Sequence, residues 1–283
     1  MIKAFYSTLE CIDAQVIHGA FVSAFSDYFV TAYMPYERFA AFLSANGFVS
    51  SLSAGAFIDG KLCAFILNGI REFGGALTAY DGGTGVVPEY RRQGLTKGMF
   101  AFCLPLLKAA GVKRYVLEVI QQNEPALELY KHFGFSVTRE LICYCAKKDA
   151  LRLEDTAAHI TDVGGIGVNV REFWDYSPTW QNTFDSVKAV PRQCAAAVIE
   201  DSGGLAGYGI INVKTGRVCQ LAVRSDCRGR SFGSQLLYKL ARQAETESVS
   251  FSNVDGGCRG MRGFLEKRGF EEYVRQYEMA LEI

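Results

Sequence analysis

The sequence predicts an α/β fold built twice along one chain, and three observations predict it. Short runs rich in Val, Ile, Phe and Tyr, bounded by glycine turns, alternate with longer runs whose apolar residues recur every three or four positions. The pair Asp59-Gly60 between two of the short runs marks a tight β-hairpin. The order of elements then repeats. Arg91 and Arg228 open similar loops 228 − 91 = 137 residues apart, and Phe135 and Phe270 close similar Gly-Phe pairs 270 − 135 = 135 apart. A period of that length is a domain, far longer than a solenoid unit. The charge-rich stretch 147–154 is the joint, so the expected domains are 1–148 and 149–283.

The first fifty residues read as helical and aromatic, with Phe21, Phe25, Tyr28, Phe29, Tyr33, Tyr36, Phe39 and Phe42. Ser26-Asp27-Tyr28 and Met34-Pro35-Tyr36 break them into short helices. Such a segment suits a helical layer on a sheet, and its rings also suit a wall of a binding site; the two are compatible. Strands follow at 54–59 and 61–69 around the hairpin turn. Gly74-Gly75 turns the chain into a strand at 77–87, where Gly82-Gly83 marks a bulge or a close ligand approach. From 94 to 110, Leu95, Met99, Phe102, Leu106 and Ala110 recur at helical spacing, with a kink expected at Pro105 and a stop at Gly111. A strand at 115–120 comes next. Asn123 caps a short helix that has Pro125 in its first turn and ends at Gly134. A strand at 135–145 completes the half.

The second half repeats the plan. Strands at 195–200 and 208–213 flank Ser202-Gly203-Gly204, and a strand at 217–223 enters the loop from Arg228 to Gly233. A helix with Leu236, Leu237 and Leu240 on one face follows, then a strand at 249–254 and a short helix ending at Gly269.

Composition excludes several function classes. Thirty basic residues balance thirty acidic ones, so the basic excess of a protein that coats nucleic acid is absent. Nine scattered cysteines without a Cys-x-x-Cys pair read as reduced thiols, which points to the cytoplasm. The three histidines, His18, His132 and His159, lack metal-ligand spacing, so no metal is expected. The N-terminus lacks a signal-peptide pattern, and no apolar run is long enough to span a bilayer, so no membrane partner is expected.

The richest stretch runs from Gly85 to Lys97. A strand end enters a Pro88 turn, then an Arg/Gln/Gly loop, then an apolar helix. That order sets backbone N–H groups at the positive end of a helix dipole beside cationic side chains, an arrangement that binds phosphate. The same pattern also suits an ordinary basic turn that caps a helix.

The run Val86-x-Pro88-x-Tyr90-Arg91-Arg92-Gln93-Gly94-Leu95, followed by Leu117-Glu118-Val119, Asn123, Tyr130 and Gly134-Phe135, resembles the Gcn5-related N-acetyltransferases (GNAT). The resemblance covers about 54–145 well and 190–281 more weakly. It departs from the family's loop pattern, Arg/Gln-x-x-Gly-x-Gly/Ala, at Thr96. It implies two acyl-CoA N-acyltransferase folds, each a mixed, mainly antiparallel sheet flanked by helices. It implies acetyl-CoA as cosubstrate, with its pyrophosphate on the amides of Arg92, Gln93, Gly94, Leu95, Thr96 and Lys97, and charge added by Arg91, Arg92 and Lys97. A side chain at Gly94 is expected to block that approach. Thr84, Gly85 and Val86 are expected to pair with the pantetheine arm, with Val86 N–H on the thioester oxygen. Asn123 adds a contact to the arm, besides capping its helix.

The resemblance also implies roles for two titratable groups. Tyr130, seven residues after Asn123, protonates the departing thiolate; its ordinary alternative is a half-buried helix tyrosine. Glu118, a carboxylate inside an apolar strand, takes a proton from the attacking amine, or is a solvent-facing strand residue. Asp81 is a weaker candidate for the base, or serves the turn. The function expected is acetyl transfer to a primary amine of a small molecule or a peptide, by direct attack. A non-catalytic acetyl-CoA sensor and an interaction protein are the rival readings.

At the 135-residue offset Glu118, Asn123 and Tyr130 become Asn253, Cys258 and Leu265, and Ser231 stands at the loop glycine. The C-terminal half is therefore expected to be a degenerate copy, structural or shaping the acceptor site, with residual CoA binding left open.

Overall fold

The computed structural model describes residues 4–27, 34–151, 157–166 and 168–283. Tyr28, Phe29 and Tyr33 of the aromatic segment, and 152–154 of the expected joint, lie outside the described residues. The chain forms two compact units. The first comprises 1–119, 123–137 and 279–283, and the second 120–122 and 138–278. Strands are grouped by the sheet they hydrogen-bond into, and 138–147 pairs with the second unit's strands.

In chain order the elements of the first half are β1 (Phe5–Thr8), α1 (Ala14–Ala24), α2 (Tyr36–Asn46), β2 (Ala54–Ile58), β3 (Lys61–Phe73), β4 (Ala76–Val86), α3 (Leu95–Ala109), β5 (Arg114–Ile120), α4 (Glu124–His132) and β6 (Ser136–Lys147). The second half adds β7 (His159–Thr161), α5 (Phe184–Lys188), β8 (Cys194–Asp201), β9 (Gly204–Asn212), β10 (Arg217–Val223), α6 (Phe232–Gln243), β11 (Ser248–Asp255), α7 (Arg259–Lys267) and β12 (Glu271–Glu282).

The first unit's sheet runs β1-β2-β3-β4-β5, antiparallel except for the parallel pair β4–β5. The chain's last residues join it, with Ile283 N–H donating to Lys113 O at 2.9 Å. β1 corrects the reading of the first fifty residues as wholly helical. At four residues it is too short for a periodic pattern to reveal it. The second unit's sheet runs β12-β6-β11-β10-β9-β8-β7, with β10–β11 as its parallel pair.

Each sheet is mixed and mainly antiparallel, flanked by helices. In the first unit, Phe21 from α1 and Phe39 from α2 are buried with Phe65 and Leu67 of β3, and Phe21 stacks on Phe65 at 5.9 Å between ring centroids. These rings form the helical layer rather than an open wall. α3 runs through Pro105 and buries Leu95, Met99, Phe100, Cys103 and Leu107. In the second unit Leu236, Leu237 and Leu240 of α6 are buried with Val218, Val249 and Phe251.

Candidate active site

The first unit's parallel pair is the feature that makes a site. β4 and β5 are in register from Thr78↔Arg114 to Asp81↔Leu117, and the pairing stops there. β4 continues to Val86 held by β3 alone, with Gly83↔Leu67 and Val86↔Ala64. A bulge at Gly82, between the Asn68↔Asp81 and Leu67↔Gly83 pairs, turns the strand at that point. The two strands therefore part, and a slot opens beside Gly82–Val86. Val87 N–H donates to Cys63 O on β3 at 2.9 Å. Strand N–H groups alternate in direction, so the N–H of Val86, and that of Thr84, turn to the slot side.

The loop at the end of β4 is ordered by its own backbone. Pro88–Tyr90 form a 3-10 turn, and Arg91 N–H donates to Pro88 O at 3.2 Å. Arg92 at φ 61° and Gly94 at φ 76° take left-handed conformations on either side of Gln93. Gly94 is the N-cap of α3. Helix geometry leaves the first-turn amides without acceptors in the helix. Among the described residues the first of them bonded to a backbone carbonyl is that of Gly98, to Gly94 O at 3.1 Å. The amides of Gly94 to Lys97 thus stand without helical acceptors at the positive end of a 15-residue helix. Leu95 anchors that end by burying its side chain in the core.

Arg91 has a different task from the one expected of it. Its guanidinium donates to both carboxylate oxygens of Asp27 at 2.7 Å, to Ala24 O at 3.0 Å and to Val86 O at 3.2 Å. It ties the end of α1 to the end of β4, so its donors serve the fold rather than an anion. The pairing holds the Asp27 carboxyl below the usual carboxylate range. Arg92, Gln93 and Lys97 are exposed.

Glu118 is the first β5 residue beyond the last β4–β5 pair, and Tyr130 lies on α4. Tyr80 of β4 donates its hydroxyl hydrogen to Glu118 Oε2 in a short bond across 38 residues of sequence. Tyr80 is 2% exposed and Glu118 half-buried, so the bond orients the carboxylate. Tyr130 is buried on α4 by edge-on contacts with Phe100 and Phe135, at 5.8 and 5.7 Å between centroids. Its neighbour Tyr115 lies three residues before Glu118 on β5, and residues an odd number apart face opposite sides of a strand. Glu118 and the Tyr115–Tyr130 cluster are thus on opposite faces of the sheet. Asn123 accepts from Ala126 N–H at 3.3 Å, which makes it the N-cap of α4.

A second polar cluster, which sequence reasoning found only in part, surrounds Asp81. The carboxylate is 6% exposed and accepts from Gly83 N–H at 3.0 Å and from Thr84 Oγ1 at 2.5 Å. Nearby, Tyr115 donates to Asn68 Oδ1 at 2.6 Å, and Asn68 donates from Nδ2 to Leu52 O at 2.6 Å. Tyr80, Asn68 and Tyr115 carried no signal in the sequence, because aromatic and amide residues in apolar strands read as core. Burial pushes the Asp81 carboxyl up to about 6, against the smaller opposing effect of its two donors.

The folded chain binds the Asp81 proton more tightly than the unfolded chain, whose carboxyl titrates near 3.8. Stability from this group is greatest below that value and is lost as the pH rises through about 6. The rise corresponds to about 3 kcal/mol at pH 8. Asp81→Asn removes the buried charge and one acceptor bond, the latter worth about 1 kcal/mol. It is therefore expected to raise the unfolding free energy by about 2 kcal/mol at pH 8, with no gain left at pH 4. Denaturant titrations of both chains at the two pH values check this.

The second unit repeats the scaffold with other residues. Arg228 donates to Asp175 Oδ1 at 2.7 Å, Phe173 O at 3.2 Å and Val223 O at 3.1 Å, as Arg91 does in the first unit. Gly229 at φ 77° and Ser231 at φ 62° take the conformations of Arg92 and Gly94. Ser231 thus keeps the backbone shape that the glycine has in the first loop. A cavity of about 610 Å³ opens at this loop, lined by Ser231, Gly233, Cys258, Phe264 and Arg268 among others. Arg268 is held there by bonds to Ser234 Oγ, its Nε at 2.9 Å. Leu265, at the position equivalent to Tyr130, is fully buried in the core. Asn253, equivalent to Glu118, is buried in a bulge at φ 61°. Among the described residues no group of three or more His, Cys, Asp or Glu is arranged to hold a metal, and no helix is long and apolar enough to cross a membrane.

The profile of the acetyltransferase (GNAT) family matches residues 17–135 and 168–270. A search of curated protein sequences found no match. Among solved structures, the chain is similar to a GCN5-related N-acetyltransferase from Sphaerobacter thermophilus, at a TM-score of 0.70 and 16% identity over 99% of this chain and 95% of that one. It is similar to a tandem GNAT protein from the clavulanic acid biosynthesis pathway, at 0.72 and 15% over 99% and 98%. A third, a GCN5-related N-acetyltransferase from Kribbella flavida, gives 0.58 and 14% over 99% and 72%. At these identities the likeness is one of fold.

Proposed function

The chain belongs to the acetyltransferase (GNAT) family, and from that premise we propose that its N-terminal half moves the acetyl group of acetyl-CoA directly to a primary amine. One observation carries the reading. β4 leaves β5 after the Asp81↔Leu117 pair, beside the Glu118 carboxylate that Tyr80 orients, and ends in the loop that opens α3, against whose Phe100 the Tyr130 ring packs.

The residues fit the cosubstrate. Convergent amides at a helix N-terminus and two left-handed loop residues make an anion cradle for a diphosphate, on Arg92 to Lys97. The outward groups of Thr84 and Val86 suit a narrow amide-bearing arm, with Gly85 keeping the strand thin between them. A Cβ at Gly85 would lie 2.5 Å from the Phe65 ring and 2.9 Å from Ala24 Cβ, so the fold itself also demands glycine there. Asn123 contributes to the arm's site from the start of α4.

Acetyl-CoA supplies an activated thioester carbonyl when bound. Val86 N–H donates to the carbonyl oxygen and stabilises the charge that develops there. Glu118, held by Tyr80, takes a proton from the acceptor's ammonium group, directly or through water, because only a neutral amine attacks. Tyr130 gives its proton to the departing sulfur. A phenol ordinarily titrates at about 10, above a thiol, so its usefulness rests on placement, and the rings of Phe100 and Phe135 pack against it. The acceptor is a small-molecule or peptide amine.

A second reading is favoured by the 610 Å³ cavity of the C-terminal unit and the matched loop conformation beside it. This degenerate half holds the same class of ligand without turnover, since Leu265 and Asn253 replace the acid and the base. Calorimetric titration with acetyl-CoA tests both. Saturation at one equivalent per chain supports the first reading. A second equivalent that Arg268→Ala removes supports the other. No heat of binding at millimolar acetyl-CoA sinks the proposal.

A further inference from the structure

We propose that Asp81 is a positioning residue for the slot, its carboxylate pinning Gly83 N–H and the Thr84 hydroxyl so that the outward backbone groups of Thr84 and Val86 are held ready for the arm of acetyl-CoA. The inference rests on the assignment of that slot to acetyl-CoA.

Three observations carry it. Asp81 is the last β4 residue paired with β5, and its side chain reaches forward over the bulge to the two residues that follow Gly82. The strand beyond it reads Gly82-Gly83-Thr84-Gly85, three glycines in four residues. Such a stretch has the most backbone freedom to lose and the fewest side chains to fix it. Comparison with the second unit supplies the third observation. β10 carries the same bulge at Cys219, between the Val218↔Ile211 and Gln220↔Ile210 pairs. Its residues at the positions of Asp81 and Thr84 are Val218 and Leu221, and the strand beyond the bulge holds no glycine. The bulge therefore forms without a carboxylate. Only the glycine-rich strand of the first unit has the pin.

A buried carboxylate that costs stability needs a reason to be there, and among the described residues no cation is paired with it. The titratable groups that face it are Cys103 of α3 and Tyr115 of β5. Burial pushes the thiol up to about 12 and the phenol well above its usual range, so both stay neutral where Asp81 titrates. β3 presents the neutral amide of Asn68. α2 presents Asn46 to Gly82, and α1 presents Phe21 and Ala24 to Gly83 and Gly85. Protonation of Asp81 removes one of its two acceptor oxygens and releases one bond of the pin.

The test compares acetyl-CoA affinity from pH 5 to pH 8 in the wild type, Asp81→Asn, Thr84→Val and Thr84→Ser, with hydrogen exchange at the Gly83 amide. The ligand's own phosphate titration is common to all four chains and cancels in their ratios. The expected result is an affinity about five- to tenfold weaker at pH 8 in Asp81→Asn and Thr84→Val, and near wild type in Thr84→Ser. The wild-type advantage over Asp81→Asn fades below pH 6, and the Gly83 amide exchanges faster in Asp81→Asn. Equal affinity of the wild type and Asp81→Asn across the range overturns the proposal. If Asp81→Asn does not fold, an unchanged affinity in Thr84→Val overturns it instead. Absence of wild-type binding at every pH overturns the slot assignment and this inference together, and is distinguishable by that fact.

Discussion

The double variant Glu118→Gln, Tyr130→Phe is expected to transfer acetyl groups about a hundredfold to ten-thousandfold more slowly than the wild type while binding acetyl-CoA as before. Each substitution is conservative in shape. Glutamine keeps an acceptor oxygen for the Tyr80 hydroxyl but cannot take a proton from an amine. Phenylalanine keeps the edge-on contacts with Phe100 and Phe135 and loses only the hydroxyl. The variant therefore separates proton transfer from packing and from cosubstrate binding. The rate is read as release of free thiol from acetyl-CoA against a panel of amines, which also shows which acceptor class the chain prefers. Undiminished turnover in the double variant would falsify the assignment of acid and base. Wild-type binding without thiol release on any amine favours the non-catalytic sensor.

Gly94→Glu is expected to weaken acetyl-CoA binding about a hundredfold, or about 2.7 kcal/mol, with Gly94→Ser weakened less because its side chain is smaller and uncharged. A carboxylate at the N-cap of α3 brings a negative charge to the place where the amides gather for a diphosphate. The same charge sits favourably against the helix dipole, so loss of binding in that variant does not reflect loss of the helix. A Cβ built at Gly94 meets nothing within 4 Å, and Ser231 already takes the equivalent left-handed conformation in the second unit. Serine is thus the matched control for backbone strain. Unchanged affinity in Gly94→Glu removes the loop from the binding site.

The two loops show why residue matching along a sequence and backbone geometry give different accounts of the second half. Ser231 reads as the loss of a necessary glycine. The loop nevertheless keeps its shape, because Gly229 and Ser231 share the two left-handed positions that Arg92 and Gly94 occupy. A left-handed conformation strongly favours glycine without requiring it. The arginines tell the converse story. Arg91 and Arg228 look like phosphate ligands from their place in the loop, and each is committed to a carboxylate and two backbone carbonyls.

The α/β class, the two-fold repeat, most strands and helices, and the loop from Gly85 to Lys97 are legible in the order of residues alone. Those features rest on period, turn chemistry and capping, which are local and therefore legible: Asp59-Gly60 turns and Asn123 caps α4, whereas α3 buries Phe100, Cys103 and Leu107 in place of the expected Phe102, Leu106 and Ala110. The partners of the polar groups emerge only in the folded chain. Tyr80 meets Glu118 across 38 residues, Arg91 meets Asp27 across 64, and the end of β12 belongs to the first unit. The reason is that a strand's partner, and hence the slot where partnership ends, is a property of the sheet. A residue's neighbours in the chain do not encode it.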